Sequence, residues 1–151
     1  MIKHSDNNAT LVLWSLLSWD NYSEVYKKLN IDFSWDNVEV IDYSYLFEVL
    51  YFAMFLDKEH SEYALSVLAQ TDFNNWLKKY IPQNVKVAHK FGEYDVDNKT
   101  KQLHDCWIFY YPETPYVLCI MTRWYDYKKL ENVIWSLSKI IFQKVEEANL
   151  K

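Results

Sequence analysis

Glycine is almost missing from this chain. One residue of 151, Gly92, is a glycine, where ordinary usage of about 7% gives roughly ten. Helix ends and tight turns that normally take glycine must be made by other residues. Long apolar runs are missing too. None approaches the roughly 18 residues of a membrane-spanning helix, and the longest, Tyr116 to Met121, reads as a buried strand. Basic residues are in deficit: the net charge is -5 and the lysines are scattered, which argues against nucleic acid as a partner. Met1-Ile2-Lys3-His4 carries no signal peptide. Cysteine is limited to Cys106 and Cys119. They fall on the two arms of an expected hairpin. A turn centred on Glu113-Thr114 sets Cys106 against Met121 and Cys119 against Ile108. That diagonal placement suits a disulfide poorly, so two buried free thiols are expected.

What is present is apolar and aromatic. Half the residues are apolar and 19% are aromatic, enough for a sizeable core and too much for disorder. The length fits one domain or most of one. Seven residues are tryptophan, and several stand in unusual places. Trp19 follows a helical pattern where a C-cap glycine would sit. Trp35 lies in the turn-forming string Ser34-Trp35-Asp36-Asn37, and Trp76 follows Asn74-Asn75. Trp107 and Trp124 lie in or beside strands. Some of these five positions are expected to be glycine in the native protein, from UGA codons that certain bacterial lineages read as glycine. Trp14 and Trp135 fit helical apolar stripes and read as true tryptophans.

Periodicity predicts a helical block followed by a sheet. Helices are expected over Asp6–Leu17, Asn21–Leu29, Asp42–Leu56, Ser61–Ala69 and Asn74–Tyr80, the last stopped by Pro82. Ser5 or Asp6 is the expected N-cap of the first. From Val85 the period becomes two, with Val85, Val87, His89 and Phe91 on one face. Glu93 to Gln102 reads as a charged connection. Cys106–Tyr111 and Tyr116–Thr122 are apolar on both faces, so both strands are expected to be covered on both sides. Tyr127 to Val145 is the clearest helix, with Tyr127, Leu130, Val133, Ile134, Leu137, Ile140, Ile141 and Val145 as its apolar face. The expected fold class is α/β (α+β): a helical part over 1–82, then three antiparallel strands and a C-terminal helix packed on the sheet over 83–151.

Two short strings carry chemistry. Ser5-Asp6-Asn7 leads into a helix, and Lys90-Phe91-Gly92 lies on a strand, with Lys90 85 positions after Ser5. Taken singly, each is ordinary: a helix cap, and a lysine on an edge strand. Together with Leu103-His104-Asp105-Cys106 and Tyr110-Tyr111-Pro112-Glu113-Thr114-Pro115-Tyr116, their order and spacing resemble the β-lactamase-like serine hydrolases, the fold of class A β-lactamases and penicillin-binding proteins. The resemblance runs from about Ile2 to Val145. It implies a partial β-lactamase/transpeptidase-like fold, since no Ser-x-x-Lys stands upstream of Ser5, where the nucleophile motif belongs; the one such string in the chain, Ser136-Leu137-Ser138-Lys139, lies in the last helical pattern.

The resemblance implies roles by position. Ser5 and Lys90 would be catalytic: Ser5 relays a proton toward the leaving nitrogen, and Lys90 supplies positive charge for the substrate carboxylate. Asn7 and Gly92 would bind substrate, Asn7 through the side-chain amide of the substrate and Gly92 by leaving room beside the strand. Asp6 would order the loop. Phe91 stands where many relatives have threonine or serine. The stretch from Asn21 to Asp42 lacks the Glu-x-x-Leu-Asn string that positions a deacylating water in class A β-lactamases, with Glu24 and Glu39 the nearest acids.

The expected function is that of a β-lactamase-like hydrolase acting on β-lactam or D-Ala-D-Ala-type amides through an acyl-enzyme. The alternative is a non-catalytic binding or structural domain on the same scaffold. A small molecule or peptide is the expected substrate. No cofactor and no metal is expected: His89, His104 and Asp105 suggest a metal pair only weakly, because His89 shares the apolar face of its strand. Arg123 reads as a solvated strand-end residue. Members of the resembled family are usually exported. The isolated chain is expected to be marginally stable or self-associating, with a free sheet edge and a partly bare sheet face.

Overall fold

The computed structural model describes residues 1–31, 37–72, 81–82 and 84–150. The expected helix over 74–80 and the positions of Trp35 and Trp76 lie outside these. The chain divides into two compact units, Met1–Asp72 and Phe73–Lys151.

The first unit is helical. Helix α1 spans Asn7–Leu16, α2 Trp19–Lys28, α3 Val40–Tyr51 and α4 Lys58–Leu68. Asp6 caps α1, its carboxylate accepting from the amides of Asn8 at 2.8 Å and Ala9 at 3.3 Å. Such a cap stabilises a helix by roughly 1 kcal/mol. Asp57 does the same for α4, accepting from the His60 amide at 2.9 Å. Helices α3 and α4 pack together and hold the buried Phe47, Val49, Leu65 and Leu68.

Glycine scarcity shows at the helix ends. After α2, Asn30 takes φ 54°, with the Ile31 amide donating to the Tyr26 carbonyl and the Asn30 amide to that of Lys27. After α3, Ala53 takes φ 51°, and the amides of Met54 and Ala53 donate to the carbonyls of Val49 and Leu50. Both are the left-handed helix stop that glycine usually makes. The second one ends α3 at Tyr51, five residues before the expected Leu56. Trp19 is no helix stop. Helix α1 ends at Leu17 in extended backbone, and Trp19 opens α2.

The second unit is a three-stranded antiparallel sheet with a long helix. Strand β1 spans Lys86–Asp95, β2 Lys101–Tyr110 and β3 Tyr116–Trp124, in the order β1-β2-β3. Helix α5 runs over Tyr127–Asn149, capped by Asp126, and packs on β2 and β3. Leu103, Trp107, Phe109 and Ile120 form the core with Leu130, Ile134 and Phe142 of α5. The buried stripe of α5 is Leu130, Ile134, Ser138 and Phe142. Val133, Leu137 and Ile140, expected in that face, are 46%, 43% and 53% exposed.

The residues expected as a charged connection, 93–102, mostly extend the first hairpin. Glu93 pairs with Leu103 and Asp95 with Lys101. Lys101 bonds Asp95 at 2.8 Å, so the charges hold the solvent-facing end of the ladder. Strand β2 is covered on both faces as expected, with Asp105 to Phe109 all buried; β3, at the sheet edge, is mostly half-buried.

The expectation of free thiols fails. Phe109, not Tyr111, pairs with Tyr116, so the register of the second hairpin is shifted by two residues from the expected one and its connection is two residues longer, with Glu113 at φ 64°. Cys106 then stands directly opposite Cys119, their Cα atoms 4.0 Å apart, and the two form a disulfide. A two-residue shift keeps every side chain on its own face, so the apolar pattern could not distinguish the two registers.

Trp107 is fully buried in the sheet core, and its indole Nε1 has no hydrogen-bond partner. Trp124 is 49% exposed at the end of β3. Among the described residues, left-handed backbone occurs at Ser5, Asn30, Ala53 and Glu113. Backbone conformation therefore gives no reason for glycine at Trp19, Trp107 or Trp124.

Candidate active site

Each of the two motifs lies in its own unit. In the first unit, the segment before α1 is tied to the unit's end: the Asp72 amide donates to the Lys3 carbonyl at 3.2 Å, and His4 pairs with the Asp72 carboxylate. Ser5 follows at φ 48°, half-buried, immediately before the Asp6 cap. Left-handed backbone at a non-glycine residue costs roughly 1–2 kcal/mol, and such strain concentrates at functional positions. Asn7 opens α1 and is exposed. Asp6 has the ordering role expected of it, since its carboxylate is used by the helix amides.

In the second unit, Lys90 and Gly92 lie on β1, an edge strand, on the sheet face opposite α5. Lys90 is half-buried. Its ammonium donates to the Phe91 carbonyl at 2.6 Å and sits 4.7 Å from the Phe91 ring centroid. Burial pulls the Lys90 pKa below the ordinary ammonium value, and the charge of Asp105 opposes that fall. Gly92 is exposed, and a Cβ built on it meets nothing within 4 Å. Any demand for glycine here comes from outside the fold.

Strand register places His104 of β2 beside Gly92, and Arg123 of β3 beside Gln102, on this same face. His104 Nδ1 accepts from the Thr122 amide at 3.2 Å, and burial lowers its pKa. Arg123 is exposed, as expected, and donates to the Gln102 carbonyl oxygen through Nε at 3.0 Å and Nη2 at 2.6 Å. His89 and Asp105 are on the other face, under α5, separated from His104 by the sheet. His89 is the buried core histidine its strand pattern implies, 1% exposed. Its partner is Asp105, 2% exposed, with His89 Nδ1 3.1 Å from Oδ1. Sequence reading did not find this pair. The signal was the shared face of two titratable residues in otherwise apolar strands.

The sequence model of the β-lactamase enzyme family matches residues 1–145 of the chain. The chain belongs to the β-lactamase enzyme family. Known structures carry the same fold. The structure of PBP-A matches with a TM-score of 0.78 at 17% identity, covering 97% of this chain and 59% of that one. The extended-spectrum β-lactamase TLA-3 matches with a TM-score of 0.79 at 19% identity, covering 95% and 61%. A β-lactamase from Chitinophaga pinensis matches with a TM-score of 0.68 at 19% identity, covering 83% and 53%. The chain thus spans about three-fifths of the length of PBP-A and TLA-3 and is a partial β-lactamase fold. No curated protein matches it.

Proposed function

We propose that this chain is the part of a serine hydrolase that carries the proton relay and the carboxylate-binding lysine, and that the nucleophile is supplied by polypeptide outside the 151 residues. The substrate class is a β-lactam or a D-Ala-D-Ala-type amide, opened through an acyl-enzyme. PBP-A, in one of the similar structures, is an acyl-enzyme with penicillin G. The observation that carries the reading is the family match over residues 1–145, which takes in both Ser5-Asp6-Asn7 and Lys90-Phe91-Gly92. The strained backbone at Ser5 and the half-buried ammonium of Lys90 support it.

In this reading, attack on the amide carbon is made by a serine of a Ser-x-x-Lys segment. Ser5 passes the serine's proton on to the leaving nitrogen. Asn7 hydrogen-bonds the substrate's side-chain amide. Lys90 binds the carboxylate, and Gly92 lets the substrate lie along the edge of β1. With no Glu-x-x-Leu-Asn string in the chain, the acyl-enzyme turns over slowly.

The test is acylation by a fluorescent penicillin, read by intact mass. The 151-residue chain alone is expected to give no adduct. Co-expressed with a family segment bearing Ser-x-x-Lys, it is expected to give one adduct per complex, lost in Lys90→Ala. A stoichiometric adduct on the chain alone, or none with the segment in a well-folded complex, overturns the proposal. The second outcome favours the alternative of a non-catalytic binding domain. Spin labels at positions 5 and 90 test the geometry independently, since a shared groove requires a short distance between them.

A further inference from the structure

Ser5 keeps a backbone conformation that its own chemistry disfavours, φ 48°. Serine has a Cβ, which makes the left-handed region costly. Such a conformation persists where the surroundings fix the chain on both sides. On the C-terminal side the anchor is Asp6. Its carboxylate accepts from the amides of Asn8 and Ala9, and its own amide donates to the Met1 carbonyl at 3.2 Å. On the N-terminal side the anchor is Asp72. Its amide donates to the Lys3 carbonyl at 3.2 Å, and its carboxylate accepts from His4 Nδ1. A carboxylate only accepts, so the His4 imidazole carries a proton on Nδ1. Lys3 and His4 are the two residues before Ser5, and Asp72 is the last residue of the helical unit.

Stability does not explain the His4–Asp72 pair. The two side chains are 62% and 56% exposed, and a pair so open to water adds little to a fold. Placement does explain it. The backbone bond from Asp72 to Lys3 already brings the two segments together, so the side-chain bond forms with little further ordering. One residue then grips the chain at two consecutive positions ahead of Ser5, while α1 grips it at Asp6. The peptide groups on either side of Ser5 are both fixed, and its left-handed turn follows. We propose that Asp72, acting through Lys3 and His4, is a positioning residue for Ser5, holding it in the turn from which it relays the proton. The inference rests on the reading of Ser5 as that relay, but its first test needs no substrate.

The experiment reads the Ser5 backbone in the 151-residue chain by NMR, through cross-relaxation between its amide and Hα protons, which lie closest together in left-handed backbone. In the wild type this signal is expected to be strong. In Asp72→Ala and in His4→Ala it is expected to fall at least about twofold as Ser5 returns to the ordinary regions, while the amides of Asn8 and Ala9 stay capped. Asp72→Asn keeps an acceptor for His4 Nδ1 and is expected to keep the wild-type signal. An unchanged signal in folded Asp72→Ala overturns the proposal. So does a weak signal in the wild type, a measurement that stands even where a variant does not fold. In the complex with the family segment bearing Ser-x-x-Lys, Asp72→Ala is expected to slow acylation by the fluorescent penicillin about tenfold, and Asp72→Asn to keep the wild-type rate. An Asp72→Ala complex acylated as fast as wild type also overturns the proposal. No acylation of the wild-type complex, with the backbone signals as expected, would sink the hydrolase reading and leave the hold of Asp72 on Ser5 intact.

Discussion

Residues 1–72 and 73–151 form two compact units that bury their apolar side chains very differently. In the second, β2 is closed on both faces, and α5 lays Leu130, Ile134 and Phe142 over it. In the first, α1 has no buried residue at all. Leu11, Val12, Trp14, Leu16 and Leu17 are 58%, 58%, 43%, 73% and 45% exposed. A helix apolar all round is built for a buried position. The sheet unit therefore has a core of its own, whereas α1 carries a demand for cover that its own unit leaves unmet. The exposed Val133, Leu137 and Ile140 of α5 make the same demand on a smaller scale.

The largest way to break this contrast is at Trp107. Trp107→Gly removes the fully buried indole from the sheet core, and the cavity is expected to cost about 3–5 kcal/mol in denaturant unfolding. The unpartnered Nε1 returns only a part of that. A variant as stable as the parent would show that the core was not built around tryptophan, and would restore the reading of position 107 as glycine. Next, Ile134→Ala in the buried stripe is expected to cost about 2–5 kcal/mol, against about 0.5 kcal/mol or less for Leu16→Ala on α1. Equal losses would show that α1 is covered in solution.

Smaller effects sharpen the comparison. Replacing both Cys106 and Cys119 by alanine is expected to lower stability by about 2–3 kcal/mol, with thiol assay of the denatured parent finding no free thiol before reduction. Asp126→Ala, at the start of α5, and Asp57→Ala, at the start of α4, are each expected to cost about 1 kcal/mol. The smallest effect is pH-dependent. Burial and the hydrogen bond to Asp95 raise the Tyr127 pKa from 10.0 to about 12. The folded state then holds a proton that the unfolded state releases, so this contribution is intact below pH 10 and lost as pH rises toward about 12. Unfolding titrations should show that loss in the parent and not in Tyr127→Phe.

Much of this was legible in the sequence because local chemistry decided it. Asp6 precedes an apolar helix, and a carboxylate there has free amides to accept from. His89 shares a period-two apolar face and is buried accordingly. The misses have physical causes too. Alanine is the best helix former, so nothing in its identity announces that Ala53 turns left-handed and ends α3. The register before β3 could shift by two residues without moving any side chain to the other face, which hid the Cys106–Cys119 pairing. Along α5, hydropathy could not tell the stripe that meets the sheet from Val133, Leu137 and Ile140, because burial depends on what arrives to cover each. The serine and lysine motifs were found by their order along the chain, a property no local rule encodes.

The single glycine has a consequence for how the gene can drift. Gly92 is spent in ordinary extended backbone with open space around it, while the four left-handed positions are held by serine, asparagine, alanine and glutamate. An alanine at position 92 meets no neighbour and, by restricting the unfolded chain, is expected to stabilise the fold slightly. Purifying selection for glycine at that codon would therefore record pressure from whatever molecule lies against the strand, acting against the gain in stability.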